Sequence, residues 1–492
     1  MTVDLPLLLG IVAATLLLAA LAVRLSTRVG LPSLVVYLAI GLLLGEGGLG
    51  IDFDDTDLTQ VLGLTALVVI LAEGGLSTRW SVVRPGLNLA LALSTVAVAV
   101  SIAVAGAALH LLLDLEWQTA LLWGAVLSST DAAAVFSVLR GVKVTPRLAG
   151  TLEMESGLND APAYIAVTLL ATDGISWLTP LLAVFQLLGG AIIGVAIGLL
   201  GVIGLRRAAL PAAGLYPIAT FAVCLLAFAV PQALNLSGLL AAYLAGVVLG
   251  NSHLPHRMAS LSFAEGLGWI AQIGLFVLLG LYVSPSRLPE AVLPAIIVGA
   301  VLLLLARPLS VAVTATPFRL PVREQVFLSW AGLRGAVPIV LALVAFSAGA
   351  PQGQLLVDVV FVLVVLLTLI QGSTLALLAR WLGLADELPS GDLSVDTAPV
   401  SRIGGEVLDL QIPAGSRLQG VYIPELRLPL GVQVSMLVRD GAVLIPDQQT
   451  RLRTGDELVI IAAPGTRTAA ERRLRAVHRA GRLARWRGET GR

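Results

Sequence analysis

The chain has one cysteine, four histidines, 5% aromatic residues, 13% charged residues and a formal net charge of zero over 492 positions. Each shortage removes a class of function. Cys224, alone in an apolar run, can close no intrachain disulfide and found no thiolate metal site, so it reads as a small buried residue. His253 and His256 share a loop, His110 lies near the end of an apolar segment and His478 is close to the C-terminus. That scatter offers no ligand cluster to a metal-dependent intramembrane enzyme. The absence of net positive charge argues against nucleic acid as a partner. What remains is hydrocarbon: 57% of residues are hydrophobic and the mean hydropathy is +0.93, well beyond soluble domains. The first apolar segment follows Asp4 and precedes Arg24 and Arg28, the reverse of a secretory leader, and is expected to be a retained span.

The fold class read from this is an all-α polytopic membrane protein with a small α/β cytoplasmic domain at its C-terminus. Segments able to cross a bilayer fall near 5 to 23, 31 to 45, 58 to 76, 86 to 113, 117 to 139, 147 to 171 and 178 to 205. Six more fall near 214 to 231, 236 to 251, 265 to 283, 288 to 316, 324 to 349 and 354 to 382, for thirteen in all. Separating 214 to 231 from 236 to 251 rests on Pro231, Gln232 and Asn235. Alternate loops carry the basic residues: Arg24 and Arg28; Arg79 and Arg84; Arg140, Lys143 and Arg147; Arg206 and Arg207; Arg257; Arg319 and Arg323. The intervening loops hold Arg287 and the acidic run Asp52, Asp54, Asp55 and Asp57. Basic loops face the cytoplasm, which puts the N-terminus outside and the C-terminus inside.

Residues 1–384 are thus expected to form the membrane domain and 385–403 a linker. From 404 to 465 the segments EVLDLQI, VQVSMLV, AVLI and ELVIIAA alternate with turn signals at Pro413 to Gly415, Arg439 to Gly441 and Thr454 to Asp456, as strands do. Residues 466–492 hold nine arginines against Glu471 and Glu489; they read either as a basic helix or, preferred, as a solvated basic tail touching anionic lipid.

A charged group in the hydrocarbon costs several kcal/mol, so each one there is a functional hypothesis. In LEMESGLNDAP, residues 152–162, Asp160 falls roughly 18 Å along its span at 1.5 Å per residue, near the middle of the bilayer. Asp131 in SSTDAAAV, Arg334 in GLRGAVPIV and Glu73 reach the same slab from three other spans. Ser156 and Asp160, four apart, share one helix face, while Glu155 and Asn159 share the next. Glu155 needs a cation at that depth, and pairing with Arg334 is the expectation. Pro162 removes a backbone donor and is expected to bend the helix among these polar groups. SSTDAAAVFSVL and GLRGAVPIVLAL each place a small, polar break ahead of an apolar half, on spans of opposite direction, as an inverted repeat of interrupted helices does. A weaker match joins ESGLND to LIQGST at 369–374. Asp131 and Arg334 suit the residual dipoles at those breaks.

SSTDAAAV, ESGLNDAPA and GLRGAVPIVLA, in that order on spans five, six and twelve, resemble the monovalent cation:proton antiporter-1 family, which includes the Na⁺/H⁺ exchangers. The stretch from IPAGSRLQG to GDELVI is similar to the TrkA-C, or RCK-C, module of potassium-transport proteins. Together they resemble the bacterial cell-volume-regulation type of K⁺/H⁺ antiporter. The resemblance implies that Asp160, with Asn159 beside it, alternately binds proton and cation, in electroneutral exchange. It implies that Thr130, Ser156 and Glu73, the last through water, complete the ion's oxygen shell. Glu155 with Arg334 becomes the structural pair, and Asp131 stabilises the helix crossing. It further implies a bacterial inner-membrane homodimer with no cofactor, taking monovalent cations and protons, and a nucleotide or other small regulator at 404–465. That segment has no glycine-rich phosphate loop. Here Asn159-Asp160 is followed by Ala161-Pro162, where the family usually continues with Pro or Gly. Na⁺/H⁺ exchange is the close alternative, and a ligand-gated cation channel is the alternative of another class, although no TVGYG-like filter is present.

Overall fold

The structure is a computed structural model that describes residues 5–29, 33–51, 53, 55–131, 135, 143–172, 178–386, 395–400, 405–413, 415–439, 442–463, 465–487 and 489. The chain divides into two units, Met1–Asp386 and Glu387–Arg492.

The first unit is helical. Its elements are α1 (Leu5–Val29), α2 (Ser33–Leu44), α3 (Thr56–Ser77), α4 (Trp80–Leu113), α5 (Trp117–Val126), α6 (Pro146–Thr172) and α7 (Thr179–Arg207). They are followed by α8 (Leu215–Ala233), α9 (Gly238–Gly250), α10 (Arg257–Tyr282), α11 (Leu288–Ala315), α12 (Val322–Trp330), α13 (Val337–Ser347) and α14 (Gly353–Trp381). Among the described residues seven helices are long and apolar enough to cross a membrane: α3, α4, α7, α8, α10, α11 and α14. Others are short because the chain breaks inside a crossing. In the segment expected over 117–139, α5 ends at Val126, and 132–134 and 136–139 lie outside the described residues. The segment expected over 324–349 splits into α12 and α13, with Gly332 and Gly335 in the break and Pro338 opening the second half. Two glycines lower helix propensity by about 1 kcal/mol each, and proline is tolerated only in a first turn.

Apolar helices gain no hydrophobic drive against one another in lipid, so close approach has to come from small residues. Gly250 of α9 shows it: a Cβ there would collide with the carbonyl of Leu76 in α3. α13 is buried from Pro338 to Ala345 on every side, a helix apolar all round at the centre of the unit's core. A short antiparallel pair joins β1 (Lys143–Val144), just ahead of α6 in sequence, to β2 (Ala385–Asp386), just after α14.

The second unit is a five-stranded antiparallel sheet of β3 (Val395–Val400), β4 (Gly405–Gln411), β5 (Val432–Arg439), β6 (Ala442–Leu444) and β7 (Glu457–Ala462), in the order β3-β4-β7-β5-β6. Helix α15 (Arg467–Ala480) packs Ala470, Leu474 and Val477 into a core with Leu408, Leu410, Val434, Leu437, Leu458 and Ile460. Two expectations change here. The linker 385–403 supplies an edge strand at 395–400, and the basic tail folds, because Ala470, Leu474 and Val477 recur at helical spacing beneath the arginines. The all-antiparallel sheet makes the unit α+β rather than α/β.

Asp456 ties this unit together. Its carboxylate accepts from Arg439 Nε and Nη2 at 2.8 Å each and from the Arg453 backbone N–H at 2.7 Å. Burial acts to raise the Asp456 carboxyl, but these donors hold it below the ordinary aspartate range. A group depressed on folding stabilises fully above its unfolded value, about 3.9, and the stabilisation is lost as pH falls through the folded value. Protease cleavage between 405 and 487 is therefore expected to accelerate below about pH 4 in the wild type. In Asp456→Asn it should already be fast at neutral pH; equal cleavage of both proteins at pH 7 would refute this.

Candidate functional site

The site forms where α6 passes the break that follows α5. Three side chains of α6 grip two consecutive residues of the break, Ser129 and Thr130. Ser129 Oγ donates to Asp160 Oδ1 at 2.7 Å. Asn159 Nδ2 donates to Thr130 Oγ1 at 2.6 Å, and Ser156 Oγ donates to the Thr130 carbonyl at 3.0 Å. Asn159 and Asp160 are fully buried, at 1% and 3% exposure. Pro162, where a bend was expected, lies within the continuous α6. The break is non-helical because its backbone groups have exchanged helix partners for those of the second break. The Asp131 N–H donates to the Leu333 carbonyl at 2.8 Å.

The two breaks are held by charges as well. A helix C-terminus carries about half a negative charge. Arg334 Nη1 donates to the carbonyls of Ser128, at 2.9 Å, and Ser129, just beyond the end of α5. Arg307 Nη2 donates to the Leu328 carbonyl at 3.2 Å, in the last turn of α12. The Asp131 carboxylate lies against Gly335, just before α13, so tightly that a Cβ on residue 335 would overlap it. An anion beside the start of α13 is the favourable sign for a helix N-terminus.

One sequence expectation is overturned. Glu155 pairs with Arg307, Nη1 to Oε1 at 2.6 Å, both side chains being buried, and not with Arg334. Arg334 is occupied by the two carbonyls of the first break. The signal for Arg307 was present: it lies mid-segment in LLLLARPLSV, ahead of Pro308, and a π-helical turn spans Leu302–Ala306 just before it. Such turns gather at functional positions. Ser129 was also missed, because helix spacing within α6 pointed to Ser156 as the hydroxyl for Asp160. Ser156 shares the face but is spent on the Thr130 carbonyl. Glu73 lies in the last turns of α3, packed over Gly268 of α10. Among the described residues it makes no hydrogen bond to Asp160, Ser129 or Thr130.

Glu155 and Asp358 each hold an arginine, Asp358 through Arg287 Nε at 3.1 Å. Among the described residues none pairs with Asp160. A buried carboxylate whose protein partner is a hydroxyl can be neutralised by a proton or by a small cation, and the oxygens of Ser129 and Thr130 are the ligand type a hard monovalent cation takes. No group of three or more His, Cys, Asp or Glu suited to a resident metal occurs among the described residues.

Comparison with known proteins gives the family. A family model described as sodium/hydrogen exchanger, transmembrane, matches residues 13–381, and a TrkA-C domain model matches 407–475. The chain is similar to the K(+)/H(+) antiporter NhaP of Alkalimonas amylolytica, 36% identical over 92% of this chain and 80% of the relative. It is similar to the K(+)/H(+) antiporter NhaP2 of Shewanella baltica, 36% identical over 90% of this chain and 79% of the relative. The solved sodium proton antiporter MjNhaP1 of Methanocaldococcus jannaschii superposes on 77% of this chain and 99% of its own with a TM-score of 0.69 at 20% identity, a likeness of fold. With a family model spanning the membrane unit and relatives at this identity over nine-tenths of its length, the chain belongs to the sodium/hydrogen exchanger family and is a membrane cation/proton antiporter, not an enzyme.

Proposed function

We propose that the protein exchanges K⁺ for H⁺, one for one, with both ions competing for the Asp160 carboxylate. The observation that carries this is a fully buried aspartate whose one side-chain hydrogen-bond partner among the described residues is a hydroxyl, whereas Glu155 and Asp358 of the same unit each pair with an arginine. Moving a bare carboxylate through the membrane interior is costly, and a proton or a cation each removes that cost. If the site reorients only when Asp160 is neutralised, exchange is coupled and leak is suppressed. Ser129 and Thr130 supply oxygens to the ion. Asn159 and Ser156 hold Thr130 for them, and Glu73 acts from the end of α3, through water. Asp131, Arg334 and the Glu155–Arg307 pair brace the crossing.

The wider assembly follows the same reading. Thirteen crossings in two inverted repeats put α5 with the residues after it, and α12 with α13, in equivalent positions. The N-terminus lies outside and the second unit in the cytoplasm of a bacterial inner membrane, where a small ligand regulates the exchanger. The protein works as a homodimer, with the early spans and α8 as its interface. K⁺ rather than Na⁺ rests on the relatives named for K⁺/H⁺ exchange.

Proton flux in proteoliposomes, with K⁺, Na⁺, Rb⁺ and Li⁺ offered in turn, tests this. The expected result is flux with K⁺ and Rb⁺, little with Na⁺ or Li⁺, and rates unchanged by an imposed membrane potential. Flux with Na⁺ but not K⁺ would transfer the assignment to Na⁺/H⁺ exchange. Potential-driven current without proton coupling would make it a channel.

A further inference from the structure

The second break is held from α14 as the first is held from α6. Gln371 Nε2 donates to the Trp330 carbonyl, the last residue of α12, at 2.7 Å. One turn on, Thr374 Oγ1 accepts from the Trp330 indole Nε1 at 2.9 Å. Gln371 is fully buried. Its amide orientation is dictated by chemistry, because a carbonyl can only accept. Its Oε1 meets no protein donor among the described residues, so the donation to Trp330 is its one polar contact there. The parallel with the other repeat is close: Ser156 and Asn159 hold Thr130 just past the end of α5, and Gln371 and Thr374 hold Trp330 at the end of α12. This gives the faint likeness of ESGLND to LIQGST a physical content.

We propose that Gln371 is a positioning residue for ion exchange, an inference that rests on Asp160 being the exchange site. From Trp330 the chain runs directly into the second break. Leu333, three residues on, receives the Asp131 N–H, and Arg334 holds the Ser128 and Ser129 carbonyls. Ser129 in turn carries the hydroxyl that meets Asp160. Gln371 therefore fixes the end of α12 from which Leu333 and Arg334 reach across to the ion-binding break. Releasing it lets that end shift without touching Asp160 or its ligands. Among the described residues, the charged side chains with contacts at the end of α12 or in the break that follows it are Arg307 with its partner Glu155, Arg334, and Asp131 against Gly335.

Two variants test the idea in proteoliposomes. Gln371→Met keeps the volume and removes the donor, and K⁺-dependent proton flux is expected to fall about tenfold. Gln371→Glu can donate to Trp330 only while its carboxyl is protonated; once ionised it repels the helix-end carbonyls. Its flux relative to wild type, measured at each pH, is expected to approach unity at acid pH and to fall as pH rises. The reversible loss within one sample shows a folded protein, which a simple folding defect would not. Flux within twofold of wild type in Gln371→Met, or a Gln371→Glu ratio flat with pH, overturns the proposal. Asp160→Asn run alongside separates the two ideas. If it is inactive while Gln371→Met is normal, the role of Gln371 alone fails; if it is active, the exchange site itself is misassigned.

Discussion

Asp160→Asn is expected to abolish cation-driven proton movement, by at least about 100-fold, while the protein still inserts and purifies as wild type. The amide is nearly the same size, and its oxygen still accepts from Ser129 Oγ, so the grip of α6 on the first break survives. What is lost is the one group that can take either ligand. An amide neither binds a proton near neutral pH nor offers a full negative charge to a dehydrating cation, and a hundredfold loss corresponds to only about 2.7 kcal/mol of that interaction. The structural hydrogen bonds of Asn159 and Ser156 are untouched, which separates this variant from one that merely unfolds the break. Proteoliposome flux at several pH values is the measurement, and exchange within a few-fold of wild type would reject Asp160 as the ion site.

Breaking the Glu155–Arg307 pair is expected to cost stability rather than selectivity. Each partner is almost completely buried, and removing one leaves the other as an uncompensated charge, a loss of roughly 3–5 kcal/mol. Arg307→Met also releases the Leu328 carbonyl. Replacing both partners with apolar residues removes the stranded charge, so Glu155→Met with Arg307→Met should be more stable than the two single losses added together. Glu155→Met with Arg334→Met should give no such recovery, because Arg334 is bonded to the backbone of the first break. Apparent melting temperatures in detergent for the two cycles decide the matter. Recovery in the Arg334 cycle, with none in the Arg307 cycle, would reverse the pairing.

Residue order reached some features of this site and stopped at others. Asp160 and Asp131 were legible because an acid inside an apolar run is costly enough to demand a reason, whatever surrounds it. The breaks at SSTD and GLRG were legible because small and polar residues weaken a helix locally. The choice of Arg307 over Arg334 was not, since both lie at comparable depth on different spans. Nor was Ser129, whose partner on α6 is set by how the break crosses the helix.

The second unit divides in the same way. Its strands announced themselves by alternation between turn signals, whereas β3 was hidden in a polar stretch read as linker, and the helical reading of the arginine-rich end was passed over for a solvated tail. Hydrophobicity and periodicity act along the chain, so the membrane class, the interrupted helices and the buried aspartate could be read from residue order alone. Pairing acts across it. Which arginine neutralises Glu155, which hydroxyl meets Asp160 and what holds the end of α12 depend on atoms brought together from remote segments, and only packing sets those distances.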